Sequence, residues 1–332
     1  MKILIYGPGV VGSTYGWQLH RQGHEISVLV RKEKYELYTK EGIHISCQDF
    51  REGRKNVSKI IFRPHVIDEL RADNDFDYII VSTTKLQISE VLPVLKESAG
   101  KANIVFFQNI WDYFDEIAGY LRPEQYFFSF PFMLGGGRKE NKVQATISGL
   151  RFSHTPIGEA DGTVTDRVRA FADILEKANL KPRICGRILD WLISHYAVAA
   201  GLSAGVLCAG SAERFVQDAE SMKKAVYCIR EGFKVCLKRG VDLSIEPTNR
   251  LQGLPLWLLV PLAKKVYSNE GLQSIFNGHI EHAPDEIRQM LDDMIESGKK
   301  YGVEMPHFIE IRETIRRRDS QAIHEKQMEQ SS

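Results

Sequence analysis

"KILIYGPGVVG", residues 2–12, carries the pattern on which the architecture turns. An apolar run ends at a tight turn in which Gly7, Gly9 and Gly12 keep a G-x-G-x-x-G spacing, with Val10 and Val11 between the last two. Alone, that spacing describes a strand-to-helix turn and no more. Here a helix-sized segment and a second apolar run, "ISVLV" (26–30), follow it, which makes a βαβ unit. In such a unit Gly7 permits the turn and Gly9 lets a pyrophosphate approach the backbone. Gly12 lets the helix pack close to the strand, and the first N–H groups of the helix face the phosphates. A dinucleotide is therefore the expected ligand.

The same rhythm continues. "DYIIVST" (77–83) and "NIVFF" (103–107) are short apolar runs of the kind found in parallel sheets buried on both faces, with a helix expected over 87–98. "YFFSFPF", "KVQATISG" and "LRFSHTPIGE" alternate more and are expected to be antiparallel strands. A helix near 164–178 and the strand "PRICG" close this part. From about 187 the pattern becomes helical only: Met222, Val226, Ile229, Phe233 and Cys236 recur at three- and four-residue steps, and Gly240 is a natural stop. "LPLWLLVPLAKKVYS" (254–268) is a further apolar helix, and a last amphipathic pair is split at "YGVEMP" (301–306). We expect an α/β chain: a Rossmann-type, doubly wound NADP-binding domain over 1–186, then an all-α substrate and dimerisation domain over 187–332. The charged end, 316–332, reads as a solvated helix face and tail.

Bulk properties exclude several classes. The 332 residues carry 44 basic and 43 acidic side chains, a net charge of +1, so nothing recommends nucleic acid or an anionic membrane as a partner. Five cysteines without CxxC spacing argue against a disulfide framework or a metal site and for the reducing cytoplasm. "MKILIYGPG" enters a strand at once, so an apolar secretory leader with a cleavage site is not expected.

The end of the second strand indicates which dinucleotide. An NAD site usually has Asp or Glu there, to hold the ribose 2′-hydroxyl; this chain has Arg31, then Lys32. A guanidinium pairs with a 2′-phosphate in fork geometry, so NADP(H) is expected.

With these residues in view, the chain resembles the ketopantoate reductase family, NADPH-dependent 2-oxo acid reductases with a Rossmann domain and a helical domain. The resemblance rests on "YGPGVVGSTYGWQLHRQGHEISVLVR", on "VSTTK" and on "FFQNI". It implies a lysine near the cofactor phosphate at Lys85 and a cofactor- and substrate-side asparagine at Asn109, although Ile110 replaces the usual glycine. "GGGRKENKV" resembles the loop that reaches the nicotinamide end, near Gly137. Ser274 and Glu286 keep the family's twelve-residue spacing, with Pro306 beyond. The resemblance makes Ser274 a ligand of the substrate carboxylate and Glu286 a catalytic residue at the substrate oxygen. It also suggests a homodimer and a small carbonyl compound as substrate.

One departure stands out. Residues 191–210, "WLISHYAVAAGLSAGVLCAG", contain no Asp, Glu, Lys or Arg. The run is long enough to span a bilayer, but it lacks basic flanks and carries Ser194, His195 and Tyr196 in its first turns, so a buried helix beside the cleft is expected instead. Family members read roughly W-x-K-x-x-x-N-x-x-x-N here; aligned on Trp191, this chain has Ile193, Ala197 and Gly201. Ile193 can supply neither the proton nor the charge that the family lysine brings to the carbonyl oxygen. His195 falls about 200° round the helix from Ile193 and reads as a packed core residue. Two readings follow: a reductase whose apolar Ile193, Ala197 and Gly201 face admits a less polar substrate, with Glu286, Tyr196 or water as proton source, or a non-catalytic NADP-binding protein. Authentic ketopantoate reduction ranks below both.

Overall fold

The computed structural model describes residues 1–150, 152–282 and 284–317, and the side chains of 279–282 are not among those described. The expected tail beyond 317 lies outside them. Two compact units are present. One holds Met1–Leu192 and Ser274–His282; the other holds Ile193–Gln273 and the described residues after 283.

The first unit is built on β1 (Lys2–Tyr6), α1 (Val10–His20), β2 (Glu25–Leu29), α2 (Tyr35–Glu41), β3 (Ile43–Asp49), β4 (Asn56–Phe62), β5 (His65–Ile67) and β6 (Tyr78–Val81). It continues with α3 (Ile88–Ser98), β7 (Asn103–Phe107), α4 (Phe114–Tyr120), β8 (Tyr126–Ser129), β9 (Leu134–Lys139), β10 (Lys142–Ile147), β11 (Thr155–Gly158), α5 (Asp166–Lys177) and β12 (Pro182–Ile184). Among the described residues these strands make an eight-stranded sheet, β12-β11-β8-β7-β6-β1-β2-β5, and a four-stranded one, β4-β3-β10-β9. Ile3, Leu4, Ile5, Ile79, Ile80, Val81, Ile104, Val105 and Phe106 are fully buried, as expected for strands covered on both faces. The order reverses at β1, between β6 and β2, which puts the crevice of a doubly wound sheet at the glycine turn.

Helix α1 explains the second sheet. It packs against β1 and β2 on one side and against β3, β9 and β10 on the other. Gly12 through Leu19 are consequently all buried, and the helix shows no polar face.

Two expectations need correction. "YFFS" is not antiparallel to its predecessor: β8 pairs parallel with β7, Phe106 opposite Phe128, because α4 provides the crossover that parallel strands require. It is antiparallel only to β11. "GGGRK" is strand β9 rather than a loop, with Gly137 opposite Gln144 in an antiparallel pair with β10. The three strands β3, β4 and β5 within 43–67 are additional to those expected.

The second unit is helical. Helix α6 (Ile188–Ala209) begins in the first unit and enters this one at Ile193; α7 (Ala212–Gln217), α8 (Ala219–Lys238), α9 (Leu256–Tyr267), α10 (Glu270–His282, in this unit as far as Gln273), α11 (Pro284–Tyr301) and a helix over 306–317 follow. α6 is long and apolar enough to cross a membrane, yet 67% of that stretch is buried inside the protein. α8 starts on Asp218, whose carboxylate accepts from the N–H groups of Glu220 and Ser221 at 3.1 Å each. It ends at Gly240, at φ 77°, where the Gly240 N–H donates to Leu237 and the Val241 N–H to Cys236, the bond pattern of a left-handed cap. Glu231, buried in α8, accepts from the N–H groups of His307 at 3.1 Å and Phe308 at 3.3 Å, so it caps the last helix after "YGVEMP".

Small residues bring α6 and α8 together. A Cβ on Gly201 would lie 2.5 Å from Ile229 Cγ1 and 2.8 Å from the Ile229 backbone nitrogen. A Cβ on Gly232 would lie 3.0 Å from Ala197 Cβ, and one on Gly205 2.6 Å from Ala225 Cβ. Ala197 and Gly201 therefore pack against α8. The substrate-facing role expected of that stripe is not what these two residues do, because the space beside them is filled by the neighbouring helix.

Candidate dinucleotide site

The glycine turn leaves β1 at Gly7, whose φ of 90° is left-handed and whose missing Cβ would meet Thr83 Cγ2 at 2.7 Å. Gly12 has still less room: a Cβ would lie 2.3 Å from Ser82 Oγ, 2.6 Å from Ile5 Cγ2 and 2.7 Å from the Gly7 carbonyl oxygen. Around Gly9 a Cβ would meet only the Gly7 oxygen, at 4.0 Å. One glycine of the three is thus open to a ligand, and two are enclosed by protein. Val10 and Val11 begin α1 directly behind the open glycine, so the helix N-terminus lies where a diphosphate would bind.

The turn is tied down on several sides. Ser82 Oγ donates to the Gly7 carbonyl at 2.8 Å and Ser13 Oγ to the Pro8 carbonyl at 3.0 Å. Arg138, from β9, also donates to Pro8 at 3.2 Å and to the Tyr38 hydroxyl at 3.3 Å; that hydroxyl donates in turn to the Glu140 carbonyl. The second sheet thereby holds the turn by a guanidinium. Sequence pattern offers no signal for this, since Arg138 and Pro8 meet only through the fold.

At the carboxyl ends of β6 and β7, Gln108 Nε2 donates to the Thr83 carbonyl at 2.8 Å and to its hydroxyl at 2.9 Å, and the Tyr113 hydroxyl donates to Gln108 Oε1 at 3.3 Å. The next residue is Asn109. Its Oδ1 is buried and accepts no hydrogen bond, a state that costs free energy until a donor arrives. An open Gly9, a helix N-terminus and this orphaned amide oxygen suit a dinucleotide extended along the edge of the sheet.

Arg31 closes the β2 end and Lys85 follows β6; each meets a carboxylate, Glu90 at 3.8 Å and Asp112 at 3.0 Å. Ser274 lies in the part of α10 that belongs to the first unit, and its hydroxyl is 2.8 Å from that of Thr146. The glycines of β9 make this approach possible: a Cβ on Gly135 would lie 2.5 Å from Ile275, and one on Gly278 2.5 Å from Gly136. Glu286 stands in the second unit, half-buried on the first turn of α11. Gly7, Gly9, Gly12, Val10, Val11, Arg31, Lys85 and Asn109 all belong to the first unit. Tyr196, considered as a proton source, donates its hydroxyl to Asp293 at 2.5 Å inside the second unit. Among the described residues no His, Cys, Asp and Glu cluster suits a metal.

Comparison with known proteins agrees with this geometry. Residues 3–161 match the sequence model of ketopantoate reductase PanE/ApbA. A 2-dehydropantoate 2-reductase of Aquifex aeolicus is 22% identical over 309 residues, covering 92% of this chain and 93% of that protein. The chain is similar to the ketopantoate reductases over the residues of its first unit that the sequence model matches. The uncharacterized oxidoreductase YkpB of Bacillus subtilis is 24% identical over 189 residues; the match spans 57% of this chain and 58% of that relative's own length. Among solved structures, D-mandelate dehydrogenase with NADH and anilino(oxo)acetate superposes with a TM-score of 0.73 at 16% identity, covering 97% of this chain and 99% of the other. The 2-dehydropantoate 2-reductase of Methylococcus capsulatus gives 0.68 at 17% identity, covering 97% of both. The family's fold, a Rossmann-like part followed by a helical part, is that of this chain.

Proposed function

We propose that this ketopantoate-reductase-like chain is an NADPH-dependent reductase of a 2-oxo acid or related small carbonyl compound, acting in the cytoplasm. The observation that carries the reading is Asn109, whose buried Oδ1 accepts no hydrogen bond and which follows Gln108 just beyond the carboxyl end of β7. The bound dinucleotide supplies the reducing equivalent. Gly9 and the first turn of α1 receive its diphosphate, Arg31 its 2′-phosphate, and Asn109 orients the nicotinamide half. Ser274 is offered to the substrate carboxylate, its hydroxyl already aligned by Thr146.

Reduction also needs a proton at the carbonyl oxygen. Ile193 provides none, and the Tyr196 hydroxyl is donated to Asp293. Glu286, on α11, is the side chain to which the family resemblance gives this role.

The packing of Ala197 and Gly201 against α8 favours a second reading, an NADP-binding protein without turnover. The two separate in one assay series. Titrating the protein with NADPH and NADH, then following NADPH oxidation with a panel of 2-oxo acids and bulkier ketones, should give binding and turnover on at least one compound. Binding without turnover on the whole panel would leave the second reading standing, and no binding would remove both. Asn109→Ala should raise the NADPH Kd about 10-fold, the loss expected for one buried hydrogen bond. An unchanged Kd would detach Asn109 from the cofactor.

A further inference from the structure

Arg31, to which the NADPH reading assigns the 2′-phosphate, and Lys85, which the family resemblance puts near the cofactor phosphate, are each already paired with a carboxylate. Arg31 Nη2 lies 3.8 Å from Glu90 Oε2, a residue of the first turn of α3. Lys85 Nζ lies 3.0 Å from Asp112 Oδ1, which follows β7. Neither acid belongs to the glycine motif or to the end of β2, where a ribose-binding carboxylate normally stands.

Topology gives the pairs a direction. The sheet runs β7-β6-β1-β2; Lys85 leaves β6, Asp112 follows β7, and Arg31 follows β2. Adjacent strands are about 4.8 Å apart, so β7 and β2 are separated by roughly 14 Å. Asp112 therefore draws the ammonium away from Arg31, towards the other end of the crevice. A 2′-phosphate at the β2 end meets Arg31 without Lys85 beside it, and it meets Glu90 as well. The Arg31 and Glu90 side chains are 60% and 73% exposed, so their pair is screened and easily opened. The charge of Glu90 remains near Arg31 even when the pair opens.

Resting on the NADPH reading, we propose that Glu90 and Asp112 are specificity-determining residues of the dinucleotide site: Glu90 offsets the guanidinium that faces the 2′-phosphate and Asp112 holds Lys85 away from it, so that the chain accepts NADH as well as NADPH. NADH leaves both ion pairs intact, and Glu90 is placed to accept from its ribose 2′-hydroxyl. The 2′-phosphate of NADPH must compete with Glu90 for Arg31, and it finds Lys85 held by Asp112. The β2 end then holds both elements of coenzyme recognition: a guanidinium from the end of one strand and a carboxylate from a neighbouring helix.

The test is a titration of the full chain with NADPH and with NADH, followed by fluorescence, for wild type, Glu90→Gln, Asp112→Asn, the double variant and Arg31→Ala. Wild type should bind both coenzymes with Kd values within about tenfold, since the opposing charges are exposed and screened. Glu90→Gln should tighten NADPH about 3- to 10-fold while leaving NADH unchanged or weaker, and Asp112→Asn should tighten NADPH about 3-fold. The double variant should combine the two factors, because the pairs share no group. Arg31→Ala should weaken NADPH and spare NADH. Raising the salt concentration should shrink every NADPH difference. The inference is overturned if Glu90→Gln and Asp112→Asn leave the NADPH-to-NADH ratio within twofold of wild type, or shift both coenzymes equally. A wild type that binds, with variants that keep its ratio, overturns this inference alone, whereas a wild type that binds neither coenzyme overturns the NADPH reading with it.

Discussion

Gly12→Ala should abolish measurable dinucleotide binding and lower the stability of the first unit by about 3 kcal/mol, the upper part of the overpacking range. The added methyl meets three atoms at 2.3 to 2.7 Å, one of them the carbonyl oxygen of Gly7. Ser82 cannot simply swing away, because its hydroxyl donates to that same carbonyl. Either α1 moves off β1 or the turn is displaced, and α1 is held between two sheets. The turn is the softer element, so binding suffers first. A melting temperature lower by roughly 6–12 °C and an NADPH Kd raised at least 100-fold are the expected measurements, by calorimetry and by fluorescence titration. A variant that still binds NADPH within threefold of wild type would mean that the turn does not receive the diphosphate.

Gly201→Asn has the second large effect, and it bears on catalysis. The substitution introduces the asparagine that the family resemblance implies at this position. If Gly201 lined an open pocket, the side chain would be accommodated at little cost. In this fold its Cβ alone would sit 2.5 Å from Ile229 Cγ1 and 2.8 Å from the Ile229 backbone nitrogen, and backbone cannot rotate aside. We expect a loss of about 3–5 kcal/mol, because an oversized polar side chain is forced into a close helix seam. Chemical denaturation of the full chain reads it directly. A stability within about 1 kcal/mol of wild type would show that the position faces open space and would return it to the list of substrate contacts.

The parallel strands were legible because they are buried on both faces and so read as unbroken apolar runs. "KILIY" and "NIVFF" are strands over their full lengths. The four-stranded sheet was not legible for the opposite reason. β4 alternates between exposed and partly buried residues, and β9 begins Leu-Gly-Gly-Gly, which resembles a loop until β10 is known to lie beside it. The short helix α4, hidden in "FDEIAGY", decided that β8 runs parallel to β7. At the site, the glycine turn could be read because its residues are neighbours in the chain. Arg138 on Pro8, Glu90 on Arg31 and Asp112 on Lys85 could not, since no spacing encodes a meeting between separate elements. The charge-free run of α6 was legible as a buried helix, but its small residues were read as a possible pocket wall when four-residue repeats of Ala and Gly also mark a close helix contact.

The assignment of Ser274–His282 to the first unit has a consequence for any attempt to divide the protein. The chain leaves that unit at Leu192 and comes back to it only for this nine-residue strap. A fragment ending at Leu192 would keep the dinucleotide turn yet lose the segment that covers Gly135 and Gly136 and supplies Ser274 to Thr146. Such a half would be incomplete as a folding unit, and the coenzyme-binding half and the helical half cannot be exchanged with those of a relative by a single crossover.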